Sequence, residues 1–275
     1  MPSQAEKADV FKALHQGPEV LVIGNPWDAG SARILTALGY AALSTTSAGL
    51  AFTLGKQDGT ASVTRDEALA NARAIVEATT LPVAADLENG YGHAPEAVAE
   101  TIRLAAEAGL VGGSIEDATG DTAHPIYDFD HAVERVAAAA EAARALGFPF
   151  MFVARAENYL HGRADLNDTI RRLQAYESAG AEVLYAPGIT NPEDIRTVCD
   201  SVRKPVNVLM GLKGAHRLSV KELGALGVRR ISIGSGFSRA ALTAFLHAAR
   251  EVRDDGTFSF ADEALYMSEI TKMFE

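Results

Sequence analysis

Eight short, almost continuously apolar segments recur along the 275-residue chain, and each is followed by a longer segment with the apolar spacing of a helix. Apolar runs of this length are typical of parallel strands that are buried on both faces. Eight strands alternating with helices is the number that closes a parallel (β/α)8 barrel of the TIM type, an α/β fold. We predict strands at residues 20–23, 40–44, 82–86, 111–115, 150–154, 182–185, 205–209 and 228–233.

The repeat continues without a break, so residues 1–255 are predicted to form one catalytic barrel domain. No Gly-rich dinucleotide motif follows the first strand, which disfavours a doubly wound open sheet. Residues 256–275 lie outside the repeat and are predicted to form a helical tail. The tail carries more apolar side chains than a free segment would expose, so we expect it to lie at a subunit interface.

The net charge and the cysteine content limit the kinds of molecule that this protein is expected to bind and the compartment in which it is expected to fold. The formal net charge of −11 argues against a nucleic acid or an anionic membrane as partner. The single cysteine, Cys199, cannot form an internal disulfide, so the fold needs no oxidising compartment. The chain has no apolar run of membrane-spanning length, and its first residues do not resemble a signal peptide. A cytoplasmic protein with a small-molecule substrate is expected.

Acidic side chains collect where the third and fourth predicted strands end, the end of a barrel at which active sites lie. Asp86 and Glu88 are two residues apart, so on an extended strand end they face the same way. With Glu116 after the next strand they form a group of like charges that needs a cation or shared protons. All-oxygen ligands favour Mg²⁺, with Mn²⁺ as a second choice. The alternative is a set of helix caps and surface ion pairs.

Arg155 leaves an apolar strand at the same end of the predicted barrel, where an unpaired charge is costly. It can pair with Glu116 or Glu157, or it can offer its planar donors to a substrate carboxylate, and we favour the substrate. Residues 44–49 (STTSAG) offer hydroxyls and amides that can hold an anion, with an ordinary turn as the alternative. Asp117 is either a group behind the metal ligands or a loop cap.

Three ordered segments resemble signatures of the isocitrate lyase / phosphoenolpyruvate mutase superfamily, and the likeness runs over almost the whole barrel. The segments are residues 86–92 (DLENGYG), 114–117 (SIED) and 154–158 (ARAEN), with weaker likeness at 25–28 (NPWD) and 54–58 (LGKQD). The resemblance implies a barrel enzyme that binds Mg²⁺ and acts on 2-oxo acids or their enolates. It also implies a homodimer or homotetramer that exchanges its C-terminal helix.

The resemblance also implies roles for individual residues. Asp86 would carry the metal, directly or through water, with Glu88 and Glu116 assisting, and Arg155 would grip a substrate carboxylate. The predicted substrate-binding residues are Thr46, Ser47, the amide of Ala48, Arg155 and, from the seventh strand, Asn207.

The loop after Asp117 departs from the superfamily pattern. The lyases carry a Lys-Cys-Gly-His-like stretch there, whereas residues 118–125 read ATGDTAHP and contain neither Cys nor Lys. Cys199 belongs to the helix after the sixth strand and does not replace that thiol, which handles protons in the lyases. Glu88 also stands where the family commonly has Asp. We therefore expect neither an isocitrate or methylisocitrate lyase nor a phosphonate mutase.

The expected activity is Mg²⁺-dependent C–C cleavage or decarboxylation of a small, oxaloacetate-like 2-oxo acid. A metal and preorganised positive groups stabilise the enolate of such a reaction without a thiol. Arg155 and Glu116 are the expected catalytic residues, and water, Tyr91 or His124 would supply the proton. Two alternatives stay open. One is hydrolysis of P–C or C–C bonds with Thr119 or a metal-bound water as nucleophile. The other is a barrel that binds 2-oxo acids such as 2-oxoglutarate without turnover.

Overall fold

The computed structural model describes residues 2–212 and 216–275, and these residues contain eight parallel strands. The strands, numbered in chain order, are β1 (Leu21–Ile23), β2 (Leu43–Ser44), β3 (Val83–Asp86), β4 (Gly112–Glu116), β5 (Met151–Arg155), β6 (Val183–Tyr185), β7 (Val206–Leu209) and β8 (Arg230–Ser232). Neighbours pair in the order β1-β8-β7-β6-β5-β4-β3-β2. A parallel bridge between Gly24 and Leu43 joins the two ends of this order. The predicted (β/α)8 barrel is confirmed.

Each strand is followed by at least one helix, as a right-handed parallel barrel requires. The α-helices of the described residues are α1 (Gln4–Gln16), α2 (Ala29–Ala37), α3 (Ser47–Thr53), α4 (Arg65–Glu77), α5 (Pro95–Glu107), α6 (Phe129–Arg144), α7 (Leu166–Ala179), α8 (Pro192–Ser201), α9 (Val220–Ala225), α10 (Gly236–Asp254) and α11 (Met267–Lys272). A short 3-10 helix at Ser259–Asp262 precedes α11. The tail is thus helical, as predicted from the sequence.

Helix α1 is absent from the predicted elements, although Ser3 and Glu6 form a capping box at its start. Its Phe11 is fully buried among side chains that include Leu21 and Val153 from the strands. These contacts place α1 across the end of the barrel at which the strands begin. The opposite end, where the strands finish, is left open.

Alternation along the strands decides which side chains reach the open end. On β5, Met151 and Val153 join the interior cluster with Phe11, whereas Phe152 and Ala154 pack with the surrounding helices. Because successive strand residues face opposite sides, Arg155 continues the interior series. The same alternation carries Asp86 and Glu116 inward at the ends of their own strands. The charged residues therefore meet at the mouth of the barrel.

Strand β2 is shorter than predicted, and part of the Ser/Thr-rich segment after it is helical rather than an open turn. Thr46 caps α3, and its hydroxyl accepts the backbone N–H of Gly49 at 3.3 Å. A hydroxyl that satisfies a free helical amide favours the start of a helix at this point. Ser47 becomes the first residue of α3 and lies close to the end of β3.

Helix α10 leaves an unusual amount of apolar surface uncovered. Phe245 is 70% exposed, and Leu242 and Leu246 are each 44% exposed. The helical tail adds further exposed apolar side chains, including Tyr266 and Met267. Among the described helices, none combines the length and the apolar character needed to cross a membrane.

Candidate active site at the barrel mouth

A cavity of about 820 Å³ opens at the end of the barrel where the strands finish. Active sites of this fold lie at the same end. Its lining includes Asp58, Glu88, Glu116, Arg155 and Glu157. The concentration of ionisable groups in one cleft, four carboxylates and the Arg155 guanidinium among them, makes this cavity the candidate active site.

Arg155 is the centre of the site and contacts three carboxylates. Its Nη1 donates to Asp86 Oδ1 at 2.8 Å, and its Nε donates to Glu157 Oε1 at 2.9 Å. Its Nη2 lies 2.9 Å from Glu116 Oε2. The guanidinium also lies 5.2 Å from the centre of the Tyr185 ring. Because the Arg155 side chain is only 12% exposed, these ion pairs are poorly screened by solvent.

Asp86 is held from its other side by residues that follow β2. Ser47 Oγ donates to Asp86 Oδ2 at 2.8 Å, and the Ser47 backbone N–H points to the same oxygen at 3.3 Å. The Asp86 backbone N–H donates to the hydroxyl of Thr45 at 3.1 Å. Both carboxylate oxygens of Asp86 are therefore oriented before any ligand arrives.

The carboxylates outnumber the positive charge available to them. Burial, reinforced by Asp86 and Asp58, raises the pKa of Glu88 to about 7. Burial also raises the pKa of Glu157 to about 7, even though Arg155 opposes the shift. The pKa of Asp58 is raised by burial and by Asp86, and that of Glu116 is raised chiefly by burial. Such a cluster favours a cation, because each carboxylate raises the free energy of its neighbours.

The oxygen-rich residues at the mouth fit a hard divalent cation by the chemistry of their donors. Asp86, Glu88 and Asp58 lie close enough for their charges to perturb one another, and the Ser47 hydroxyl adds a neutral oxygen. Within residues 2–212 and 216–275, however, no three His, Cys, Asp or Glu side chains form a metal cage on their own. Mg²⁺ matches such an incomplete set, because it keeps several waters and takes ligands from its substrate.

The charge on Glu88 makes stability depend on pH. Its pKa is about 7 in the folded protein against an ordinary 4.5, so its favourable contribution is complete below pH 4.5 and is lost as the pH rises through 7. Glu88→Gln removes this loss. The measured quantity is the unfolding free energy of Glu88→Gln minus that of the parent, both in EDTA. We expect this difference to be roughly 1–2 kcal/mol larger at pH 8 than at pH 5, after allowance for solvent screening.

Urea denaturation at the two pH values measures this difference. Glu107→Gln, at an exposed position of α5, serves as the matched control and should show no comparable change between the two pH values. An unfolding free-energy difference for Glu88→Gln that is the same at both pH values would contradict the buried charge cluster.

The turn that carries Glu88 and Tyr91 has a left-handed backbone at two residues that are not glycine. Glu88 has φ 47° and Tyr91 has φ 57°, conformations that cost free energy for residues with a Cβ. Arg135, which is fully buried, donates to the carbonyl of Gly92 at 2.7 Å and to those of Asn89 and His93. The turn is therefore held in its strained form from behind by a buried guanidinium.

The other predicted site residues are placed unevenly. Ser47 and Tyr91 line the cavity, and burial raises the pKa of Tyr91, so its hydroxyl stays protonated. Thr46 is buried as the cap of α3. His124 is exposed, and the lining of the cavity includes neither it nor Ala48. Asn207 is buried on β7 outside this lining and donates to Ser232 Oγ at 2.9 Å.

Asp117 has a structural environment rather than a place in the cavity. Its carboxylate accepts the backbone N–H of Glu157 at 2.8 Å, Arg172 Nη1 at 3.0 Å and the Tyr176 hydroxyl at 2.6 Å. Asp117 therefore ties β4 to α7 and fixes the start of the loop after β5 that carries Glu157.

Asp58 is the acidic residue at the mouth that the strand-end argument missed, because it lies in a long loop after α3.

The barrel carries a group of carboxylates around Arg155 at its open end. These are the features of the class of enzyme inferred from the three sequence signatures. The chain belongs to the phosphoenolpyruvate phosphomutase family, whose model matches residues 11–253. Together with its neighbours this confirms the isocitrate lyase / phosphoenolpyruvate mutase superfamily and an enzyme of that type.

Several relatives and one solved structure are similar to this protein over most of its chain. A crystal structure of a candidate lyase/mutase from Burkholderia cenocepacia superposes with a TM-score of 0.95 at 58% identity and covers 98% of this chain and 96% of its own. An uncharacterized protein of Mycobacterium tuberculosis is 33% identical, covering 89% of each chain. The 2-methylisocitrate lyase of Escherichia coli is 29% identical (90% and 84% covered). An oxaloacetate decarboxylase of Bradyrhizobium is 28% identical (82% and 77% covered).

Proposed function

We propose that this enzyme is a metal-dependent carbon–carbon lyase that decarboxylates oxaloacetate or a closely similar small 2-oxo acid. The observation that carries the proposal is the group of carboxylates around Arg155, in a cavity that the chain's one thiol does not reach. Cys199 lies half-buried on α8 rather than at the mouth. Cleavage that needs only an electron sink and a proton donor fits these residues best. The relatives that act on oxaloacetate and on 2-methylisocitrate support carbon–carbon cleavage as the reaction class.

A divalent metal, Mg²⁺ or Mn²⁺, would be held by Asp86 with Glu88, Glu116 and Asp58 around it. When bound, it supplies Lewis acidity at the carboxylate and carbonyl oxygens of the substrate. Arg155 keeps two of its five N–H donors outside the three ion pairs, and these can hold a substrate carboxylate. The backbone N–H and hydroxyl of Ser47 add donors beside Asp86.

The proposed reaction breaks the bond between C3 and C4 of the 2-oxo acid. The bonding electrons stay on the larger fragment as an enolate, and CO₂ leaves from C4. Arg155 and the other donors at the mouth stabilise the negative oxygen of the enolate. A proton must then reach C3, and we assign it to Tyr91, which lines the cavity and stays protonated because burial raises its pKa. The exposed His124 is a poorer donor, because it lies outside this lining.

Hydrolysis with Thr119 as nucleophile is less well supported. Thr119 lines the cavity, but its hydroxyl donates to the carbonyl of His124 at 2.5 Å and accepts the N–H of Asp121 at 2.9 Å. A hydroxyl committed to its own loop is a weak nucleophile, because both hydrogen bonds must be broken before attack.

A panel of substrates tests the proposal. Product formation from oxaloacetate, 2-methylisocitrate and phosphonopyruvate is measured with the same enzyme and with Mg²⁺ present. We expect oxaloacetate to have the highest kcat/KM. A higher kcat/KM for either of the other two would contradict the proposed substrate. Binding of all three without any product would instead establish a non-catalytic 2-oxo acid binding barrel.

We also propose that the enzyme works as a homodimer or homotetramer in the cytoplasm. Support for an oligomer comes from the uncovered apolar surface of α10 and the tail, which a second subunit could bury. A cytoplasmic location fits a fold that needs no disulfide.

Phe245→Asp is expected to dissociate the assembly, because it places a charge on the most exposed large apolar side chain of α10. Light scattering after size exclusion should then report a smaller particle. Leu38→Asp, at a 65% exposed site after α2, is the matched control and should keep the parent mass. A parent mass of one subunit, or an unchanged mass for Phe245→Asp, would contradict the interface.

A further inference from the structure

A second cleft lies at the opposite end of the barrel, where the strands begin, and we refer to it as the basal cleft. Its larger part has a volume of about 410 Å³ and is lined by Lys12, Arg144, Phe148 and Lys204. A smaller part of about 250 Å³ shares Lys204 and adds other residues of the turns before β7 and β8. The two parts share lining residues and form one continuous surface depression.

The basal cleft concentrates positive charge in a chain that is acidic as a whole. The cations around it are Lys12, Arg144, Arg203, Lys204 and Arg229. Among the ion pairs of the described residues, only Lys204 in this group has a carboxylate partner, Glu182 at 2.8 Å. One further carboxylate is close, because Glu177 accepts the backbone N–H groups of residues 203 and 204. Within the described residues, the lining of the cleft thus contains five cations and one carboxylate, Glu182, although acidic residues outnumber basic ones by 11 over the sequence.

A buried arginine behind the wall of the cleft adds to its positive electrostatic potential. Arg230 is 95% buried on β8, and its Nε has no hydrogen-bond partner among the described residues. Its Nη1 lies 3.4 Å from Nε2 of His15, which lines both parts of the cleft. Burial without a carboxylate partner lowers the pKa of Arg230 to about 10, which still leaves it charged at neutral pH. Among the described residues no carboxylate forms an ion pair with Arg230, so an anion in the cleft would interact with it favourably.

The larger part of the cleft also has an apolar wall. Phe148 and Pro149 are half-buried there, and Phe150 and Met151 continue the wall into the barrel. An aromatic side chain that keeps part of its surface open can stack against a flat ring of a ligand. The smaller part lacks such a wall and is lined by Arg203, Lys204 and Arg229. The basal cleft thus has its apolar wall in the larger part, and cationic groups line both parts.

We propose that the basal cleft is a second ligand site, distinct from the mouth, for a polyanion that carries a flat ring, the chemistry of a nucleoside polyphosphate. The ring packs against Phe148 and Pro149. The phosphates lie along Arg203, Lys204 and Arg229, where guanidinium groups can form paired hydrogen bonds. The site is separate from the proposed decarboxylation and does not depend on it.

Titration calorimetry in EDTA tests the proposal, because EDTA removes any divalent metal from the mouth. The probes are ATP, adenosine and inorganic tripolyphosphate. We expect saturable binding of ATP, binding of tripolyphosphate weaker by about tenfold or more, and no detectable binding of adenosine. Absence of ATP binding would overturn the proposal. Tripolyphosphate that binds as tightly as ATP would overturn the role of the apolar wall.

Charge reversal locates the site. Arg203→Glu and Arg144→Glu are each expected to raise the Kd for ATP by about tenfold or more. Arg73→Glu, an equal charge change on an exposed position of α4, should change it by less than about twofold. Turnover at the mouth should stay at the parent value in all three variants. An unchanged Kd in both cleft variants, with the fold intact by circular dichroism, would place the anion elsewhere and contradict the assignment.

Discussion

Replacing Asp86 by asparagine is expected to lower kcat/KM for oxaloacetate by on the order of 10²–10³ while the protein stays folded. Asp86 is the carboxylate that both Ser47 and Arg155 orient, and it is the proposed metal-bearing group. Asparagine keeps the size of the side chain and one oxygen, but it removes the charge that a divalent cation needs. Steady-state rates of pyruvate formation, measured over a range of Mg²⁺ concentrations, give the effect.

The metal concentration at half-maximal rate distinguishes loss of metal binding from loss of fold. It should rise in Asp86→Asn, whereas the thermal midpoint should not fall below that of the parent. Asp9→Asn, the same change on an exposed face of α1, is the control and should match the parent in both rate and metal dependence. Parent-like turnover of Asp86→Asn at low Mg²⁺ would contradict the proposal that Asp86 holds the metal.

Replacing Arg155 by methionine is expected to abolish turnover and to lower the unfolding free energy by about 3–5 kcal/mol at pH 8. The change leaves Asp86, Glu116 and Glu157 at the mouth without the guanidinium that contacts all three. Glu157 is the most deeply buried of the three, with a side chain only 3% exposed, so its ionised carboxylate is destabilised most by the loss of the guanidinium. Urea denaturation in EDTA measures the loss.

Two further variants keep this prediction testable if Arg155→Met proves too unstable to purify. Arg155→Met with Glu157→Gln should recover part of the lost stability, because one uncompensated charge is removed with the cation. Arg103→Met breaks an exposed pair with Glu100 and should cost no more than about 1 kcal/mol. A loss for Arg155→Met as small as that of Arg103→Met would contradict the central position of Arg155.

Much of the barrel is predictable because its strands carry an unambiguous pattern. The continuous apolar runs locate all eight strands, and alternation explains why Asp86, Glu116 and Arg155 meet at the mouth of the barrel. Helix α1 escapes the same argument, since its few apolar residues form a weak pattern and only the Ser3–Glu6 capping box marks its start. Its function in covering the base of the barrel depends on Phe11, a contact that no local pattern predicts.

The details of the mouth depend on contacts between distant segments. The predicted ion-pair partners of Arg155, Glu116 and Glu157, are both its neighbours. Only the folded chain adds Asp86, so that three carboxylates contact one guanidinium. Asp58 joins them from a loop whose position follows no periodicity, and Arg135 reaches the 88–93 turn from α6. The two side chains that donate to Asp117, Arg172 and Tyr176, lie on α7, more than 50 residues away. Such long-range pairings depend on packing, which a pattern within one segment cannot specify.

The most direct test of the proposed function is the initial rate of CO₂ and pyruvate release from oxaloacetate, measured with Mg²⁺ and again with EDTA. The uncatalysed reaction at the same Mg²⁺ concentration is subtracted from each rate. We predict a rate well above background with Mg²⁺ that falls to background in EDTA and returns when Mg²⁺ or Mn²⁺ is restored. A rate that stays at background with metal present, or that persists unchanged in EDTA, would contradict metal-dependent decarboxylation at the barrel mouth.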